Sequence, residues 1–313
     1  FATAAFIGTP PAAQAEQDRV LFLNSYHQGY TWSDDILEGI ETVLEDADVE
    51  LKVHYMDTKR NTSDDYMNKA GRTAKKVIES YGPDVVIACD DNASQYVVQP
   101  YYKNADLPFV FCGVNWEADS YGYPYDNVTG MVEVDGIKGL VHLMKRITDS
   151  TDDIGFIGSD TNTNHKVEKN LERVLGQDLK ARYAKDFESF KTEFTALQDD
   201  TDFIIFYLFS GIKGWSEEAG TRFMADATQV PTATFQAGVI PYVTMGYLKV
   251  AQEQGRWSAK QALKILDGTK PAEIEITRNK EGELVLNSAM AEAAGIDVPY
   301  SFIELTDRVV NKN

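Results

Sequence analysis

Five short apolar runs along this chain each stop abruptly at small or polar residues, and that repeated edge restricts the fold more than any other feature. The runs are Val20–Asn24, then Ser25, Tyr26 and His27; Asp84–Cys89, then Asp90, Asp91 and Asn92; and Phe109–Cys112, then Gly113, Val114, Asn115 and Trp116. Two more follow: Ile154–Gly158, then Ser159, Asp160 and Thr161, and Phe203–Phe209, then Ser210 and Gly211. Continuous Val/Ile/Phe runs separated by helical segments read as strands buried on both faces of a parallel sheet, and open parallel sheets bind ligands beyond the carboxyl ends of their strands. The polar stops are therefore expected to line a binding site.

Between the runs the period changes from strand to helix. A helix from about Asp34 to Glu45 is expected to start on Ser33 as N-cap, with Ile36, Leu37, Ile40, Val43 and Leu44 on one stripe. After a strand at Leu51–Met56, a second helix carries Tyr66, Ala70, Ala74, Val77, Ile78 and Tyr81 on its apolar face and ends at Gly82-Pro83. A third helix is expected near Ser94–Tyr102, then a Tyr/Gly/Pro-rich loop from Ser120 to Tyr125 and a break at Asn127–Gly130. A helix from Gly136 to Ile147 restarts the alternation, with strands at Ile154–Gly158, Lys180–Ala184, Phe203–Phe209 and Thr232–Phe235.

Strands alternating with helices of this length imply right-handed βαβ crossovers. The 313 residues exceed what one hydrophobic core sustains, roughly 250–300 residues, so two doubly wound α/β lobes are expected. The segment from Gly246 holds a helix (Ser258–Leu266), strands at Glu273–Thr277 and Glu283–Leu286, and a short helix before Gly295. That is too little for a third domain and must complete the first two. Lobe I is therefore drawn as residues 16–132 plus about 245–275, and lobe II as 133–244 plus about 276–313. More than one crossover makes a hinge, and two lobes with polar strand ends make a cleft that closes on a ligand.

The formal net charge of -19 and pI near 4.6 argue against nucleic acid or an anionic membrane as partner, since both require a basic surface. Residues 1–15 are apolar and small, contain no acid and close on Ala13-Gln14-Ala15, a cleavage-site pattern. They read as the remnant of a secretory leader, with a flexible arm as the alternative. No cysteine lies near Ala15 to carry a lipid anchor, and no run reaches the roughly 18 apolar residues of a membrane helix. A soluble, exported, periplasmic protein is the expectation. The two cysteines, Cys89 and Cys112, each end a strand and have no metal-ligand spacing. Neighbouring strands would let them bridge, but two small buried hydrophobes is the commoner arrangement and the one expected.

The tail carries a family signature: Ala262–Leu266, Asp267-Gly268-Thr269-Lys270-Pro271-Ala272-Glu273-Ile274, Leu284–Asn287 and Ala291–Pro299. This resembles the closing segment of the ABC-transporter substrate-binding family that includes aromatic-amino-acid binders. Asn127–Gly130 is similar to that family's crossover, and the resemblance runs from about Arg19 to Val309. The opening Asn24–Asp35 looks more like a branch used as extracytoplasmic sensor domains of signalling proteins. The resemblance implies a type I periplasmic binding fold, no catalysis, no cofactor, and a monomer holding a small organic ligand. Its partner would be the permease of an ABC importer or, alternatively, a sensor protein.

In the residues themselves, Asp90 and Asp91 can accept bonds from an ammonium or from sugar hydroxyls, or one of them can cap the helix that follows. Tyr26, Tyr30, Trp32 and Trp116 offer flat apolar walls, as does Trp215, although large aromatics often serve the core. Ser159, Asp160, Thr161 and Asn164 combine hydroxyls and amides with a helix start, which suits a carboxylate. The same stretch resembles the opening of a calcium loop, but His165 replaces the turn glycine and Leu171 the bidentate Glu. Ser25 with His27 could be cast as a hydrolytic pair, yet the chain has no G-x-S-x-G elbow, phosphate loop or dinucleotide fingerprint. His54, His142 and His165 are dispersed, so no metal site is expected.

Overall fold

A computed structural model describes residues 17–310; the leader expected at residues 1–15 lies outside them. The strands are β1 (Asp18–Asn24), β2 (Val49–Tyr55), β3 (Val85–Cys89), β4 (Phe109–Asn115), β5 (Val128–Glu133), β6 (Ile154–Ser159), β7 (Lys180–Ala184), β8 (Phe203–Phe206), β9 (Thr232–Thr234), β10 (Met245–Lys249), β11 (Thr277–Arg278), β12 (Gly282–Asn287) and β13 (Arg308–Val310). Among the described residues they form two sheets, ordered β11-β5-β4-β3-β1-β2 and β13-β12-β10-β9-β8-β6-β7. Read from β2 to β5 and from β7 to β10, both sheets follow the doubly wound order 2-1-3-4-5. The architectural repeat expected from the sequence is thus present strand for strand.

By contacts the chain divides into two units. The first comprises the chain up to Val114, Ala118–Met131 and Gly255–Ile276; the second comprises Asn115–Glu117, Val132–Gln254 and Thr277 onward. The sequence reading returned the chain to the first lobe at about 245, whereas the division falls at Gly255. The reason is β10, which pairs in parallel with β9 and antiparallel with β12 in the second sheet.

Each sheet is the centre of its unit's core. In the first, Val20–Leu23, Val85–Cys89 and Phe109–Cys112 are fully buried, as continuous apolar runs demand of a parallel sheet covered on both faces. In the second, Phe156, Phe203, Ile205 and Met245 pack with Ile137, Leu140 and Leu171 on one face, and Phe190, Phe194, Phe206 and Met224 cover the other. Trp215 belongs to this second layer, its ring 5.0–5.5 Å from those of Phe187, Phe190, Phe206, Phe209 and Tyr242. It is partly buried and packs against that layer.

The helix Asp64–Tyr81 ends as expected, with Gly82 closing it at φ +62°, and at its start the Ser63 hydroxyl accepts from the Tyr66 amide. The first helix differs. It spans Thr31–Leu44 with Tyr30 at the N-cap, because the Ser33 hydroxyl is turned inward and donates to Asn24 Oδ1 at 3.0 Å. The third begins at Asp91 and carries a π-helical stretch at Ser94–Val98. The strand expected at Glu273–Thr277 is a short 3-10 turn, Pro271–Glu273, before the two residues of β11. β5 and β10 had no counterpart in the sequence reading. Each contains a glycine that weakens strand propensity, and in each the glycine is required by a neighbour: a Cβ on Gly130 would lie 2.2 Å from the Phe111 ring, and one on Gly246 2.1 Å from Ile240.

Cys89 and Cys112 are disulfide-bonded, with Cα atoms 4.5 Å apart. β3 and β4 are parallel neighbours and place the two cysteines in register, which corrects the expectation of two free buried thiols.

Candidate functional site

In a sheet ordered 2-1-3-4-5 the chain leaves strands 1 and 3 in opposite directions, so their carboxyl ends flank a natural recess. In the first unit those ends are Asn24–His27 after β1 and Asp90–Asn92 after β3. They are stitched together. Ser25 Oγ donates to the Cys89 carbonyl at 2.6 Å and accepts from the Ala93 amide at 2.8 Å. The Thr58 hydroxyl donates to the Ser25 carbonyl at 2.6 Å, and Asn92 Nδ2 donates to the Thr58 hydroxyl at 2.8 Å. Ser25 is fully buried and serves as the N-terminal cap of the helix after β3.

That assignment answers both the capping question and the hydrolase reading. Ser25, not an aspartate side chain, caps the helix, and its hydroxyl is committed to two backbone groups. His27 Nδ1 lies 3.0 Å from the Gln28 carbonyl. Ser25→Ala is expected to destabilise the first unit by about 2 kcal/mol, since the buried Ala93 amide loses its acceptor; a urea titration matching the parent's would refute the arrangement.

Asp90 is buried with φ +70°, and its amide donates to the Cys112 carbonyl at 2.7 Å. Gly113, at φ +65°, makes room for it: a Cβ there would stand 2.8 Å from Asp90 Oδ1. Asp91 faces the 3-10 turn Asp119–Tyr121, and the Tyr121 hydroxyl donates to its Oδ1 at 2.7 Å. Burial, reinforced by the Asp91 carboxylate, holds the Tyr121 phenol well above its usual range, so it remains the donor. Tyr26 and Tyr30 stand edge to face with ring centroids 5.3 Å apart. Trp32 is half-buried in the first turn of the helix Thr31–Leu44.

Asn115 is the last residue of β4 in the first sheet, and Trp116 follows it directly. Trp116, at φ +63°, packs on the core of the second unit, its amide donates to the Glu133 carbonyl at 2.8 Å, and the adjacent Glu117 pairs with Arg173 at 2.7 Å.

In the second unit the corresponding ends follow β6 and β8. Ser159 Oγ donates to the Ser210 carbonyl at 2.8 Å, while Asn164, fully buried, donates from Nδ2 to the carbonyls of Ser159 and Leu208 and to Ser159 Oγ at 2.8–3.2 Å. Thr161 caps the helix Asn162–Leu175, and Gly211, at φ +109°, packs 3.4 Å from Thr161 in the sense that a Cβ there would meet its methyl. Asp160 is partly exposed and bonded to His165 at 2.8 Å, which holds its carboxyl below the usual range, with Lys185 3.5 Å away. Ser159, Thr161, Asn164, Ser210 and Gly211 are thus brought together, and Asp160 turns to the His165 side.

Residues absent from the sequence reading also belong here. Asn24, fully buried, accepts from the Tyr26 amide at 2.8 Å and shapes the β1 turn. Thr58 and Lys59 follow β2, which is a sheet edge with alternating burial rather than a continuous apolar run, so the signal that marked the other strand ends was missing.

Two predominantly parallel sheets sharing the order 2-1-3-4-5, each with polar residues at the ends of its first and third strands, define a doubly wound α/β binding fold. Residues 31–310 match the family model described as ABC transporter substrate binding protein, and the chain belongs to that family. No curated protein sequence matches it. Solved structures are similar in fold. A Streptococcus pneumonia ABC domain in complex with L-Trp is 18% identical over 94% of this chain and 100% of its own, with a TM-score of 0.57. A ligand-free, open substrate binding protein with adhesive properties from Clostridium difficile is 14% identical over 95% and 100%, with a TM-score of 0.72. A conserved domain protein from Vibrio cholerae is 16% identical over 94% and 100%, with a TM-score of 0.57. Among the described residues no helix is long and apolar enough to cross a membrane.

Proposed function

We propose that this chain is an exported, periplasmic and monomeric receptor that captures a small polar organic solute, amino-acid-like in character, and delivers it to the permease of an ABC importer. The observation that carries this reading is the placement of polar residues in each unit at the two strand ends flanking the sheet's reversal of order: Ser25–His27 with Asp90–Asn92, and Ser159–Thr161 with Ser210–Gly211. Asp90 and Asp91 supply carboxylates for an ammonium, and Tyr26 and Tyr30 supply apolar faces. Ser159, Thr161 and the start of the helix Asn162–Leu175 supply hydroxyls and amide dipoles for a carboxylate. The family membership supports binding rather than turnover, and the backbone bonds of Ser25 agree with it.

A thermal-shift screen over amino acids, purines, sugars and simple carboxylates tests the reading. A cognate solute at 100 times its dissociation constant is expected to add about 2.7 kcal/mol of stability. Asp91→Ala is expected to weaken that solute by at least tenfold, the loss of a charge-assisted bond. A screen in which only sugars or purines shift the melting point would redirect the ligand class, and an undiminished Asp91→Ala would remove that carboxylate from the site.

A further inference from the structure

Lys59 sits where a ligand cation would sit. Its Nζ lies 4.8 Å from the ring centroid of Tyr26 and 5.0 Å from that of Tyr30, and the two rings meet edge to face. An ammonium over aromatic faces at this range is held by the ring quadrupoles. The position is imposed by the backbone. Amides of Met56, Asp57 and Thr58 donate to the carbonyls of Asn24, Tyr26 and Ser25 at 2.7–3.0 Å, so the turn after β2 runs alongside the turn after β1. Asn92 then ties Thr58 to the β3 end, which makes the pair of rings part of the same carboxyl edge as Asp90 and Asp91.

The neighbouring charges are already engaged. Arg60 forms a two-pronged pair with Asp57, at 2.7 and 2.8 Å, and Asn61 bonds the same carboxylate. Lys59, exposed on a flexible stem, has no carboxylate partner among the described residues. A hydrated lysine with no ion pair has little reason to lie across two tyrosines unless that place favours a cation. The chain's net charge of -19 further concentrates cations about it.

We infer that Tyr26 and Tyr30 form a clamp for the organic ammonium group of the ligand, and that Lys59 occupies the clamp in the ligand-free chain as a built-in competitor that sets the affinity threshold. The inference deepens the receptor reading above and rests on it. A ligand must displace Lys59, so its apparent dissociation constant is the intrinsic one divided by the fraction of molecules in which the clamp is open.

The test uses two probes of one shape, choline and its uncharged carbon isostere dimethylbutanol, titrated calorimetrically into the full chain. Lys59→Met keeps the apolar stem and removes the charge. It is expected to bind choline about fivefold tighter than the parent, the equivalent of ~1 kcal/mol, with dimethylbutanol unchanged. Lys59→Arg, which retains a cation, should behave as the parent, and adding Tyr26→Leu to Lys59→Met should abolish the gain. Equal choline affinity in parent and Lys59→Met, or an equal gain for both probes, would overturn the proposal. A solute found in the screen whose affinity ignores Lys59 would leave the receptor standing and remove the clamp; variants and parent that bind nothing from either set would remove both.

Discussion

At neutral pH, Lys249→Met is expected to lower the unfolding free energy by about 3–5 kcal/mol, the penalty for leaving buried carboxylates without their shared cation. Lys249 Nζ lies 2.6 Å from Glu133 Oε1 and 3.0 Å from Asp135 Oδ1, and the Tyr207 hydroxyl donates to Asp135 Oδ2 at 2.9 Å. The three charged side chains are only 17%, 10% and 1% exposed, so water compensates for little. Burial opposes the lysine's charge, but Asp135 and Glu133 together outweigh it and hold Lys249 above its ordinary value. A raised folded-state value means that this stabilisation is fully present at neutral pH and is lost only as pH climbs through strongly alkaline values.

Combining Lys249→Met with Glu133→Gln and Asp135→Asn should recover most of the loss, because a neutral cluster has no charge left to desolvate. Urea titrations of the parent, single and triple variants at neutral pH measure both the loss and its recovery. A single variant as stable as the parent at neutral pH would show that the cluster contributes nothing. The cluster also has a place in the chain's path: Glu133 and Asp135 follow the passage into the second unit after Met131, and Lys249 precedes the departure from it at Gly255.

Gly255→Ala is the second large effect, expected to cost about 3 kcal/mol and to lower the melting temperature by roughly 10 °C. The helix Ala251–Leu266 passes so close to the first helix that a Cβ on Gly255 would stand 2.0 Å from the Ile36 carbonyl oxygen and 2.9 Å from the Ile40 amide. The obstacle is backbone and cannot rotate away. The helices must separate, loosening Ile36, Ile40, Ala259 and Ala262, all fully buried in the first unit. Gly238→Ala serves as the control. It makes the same chemical change at an exposed position with nothing within 4 Å of the added methyl, and its melting point should stay with the parent's. Equal behaviour of the two variants would deny the close approach.

What could be read in advance follows the range of the underlying interaction. The apolar stripe and the end of the helix Asp64–Tyr81 were legible, since stripe and terminal glycine act within a few residues of one another, while its Ser63 cap, equally local, went unread. Ser33 had the same local credentials as a cap and failed, because buried Asn24 offers its hydroxyl an acceptor from another element. The strands β5 and β10 were illegible for a related reason. Gly130 and Gly246 weaken a strand locally, and only the ring of Phe111 and the side chain of Ile240 explain why no other residue fits. For the site, the residue types at strand ends were visible, but their division of labour was not: Ser25 and Asn164 hold backbone, Trp116 and Trp215 pack, partly buried, against the second unit's core, and Thr58 and Lys59 enter from an edge strand that gives no continuous apolar signal.

The sequence alone determined the alternation of buried strands and amphipathic helices, the doubling of that pattern, and the polar stops at the strand ends, because periodicity and burial are written in neighbouring residues. The tertiary structure decided the strand order that sets β1 beside both β2 and β3. It also decided the pairing of Cys89 with Cys112 and the placing of Lys59 over Tyr26 and Tyr30. Those adjacencies join residues tens of positions apart, and they depend on which way each crossover turns and on what side chains the packed core leaves room for.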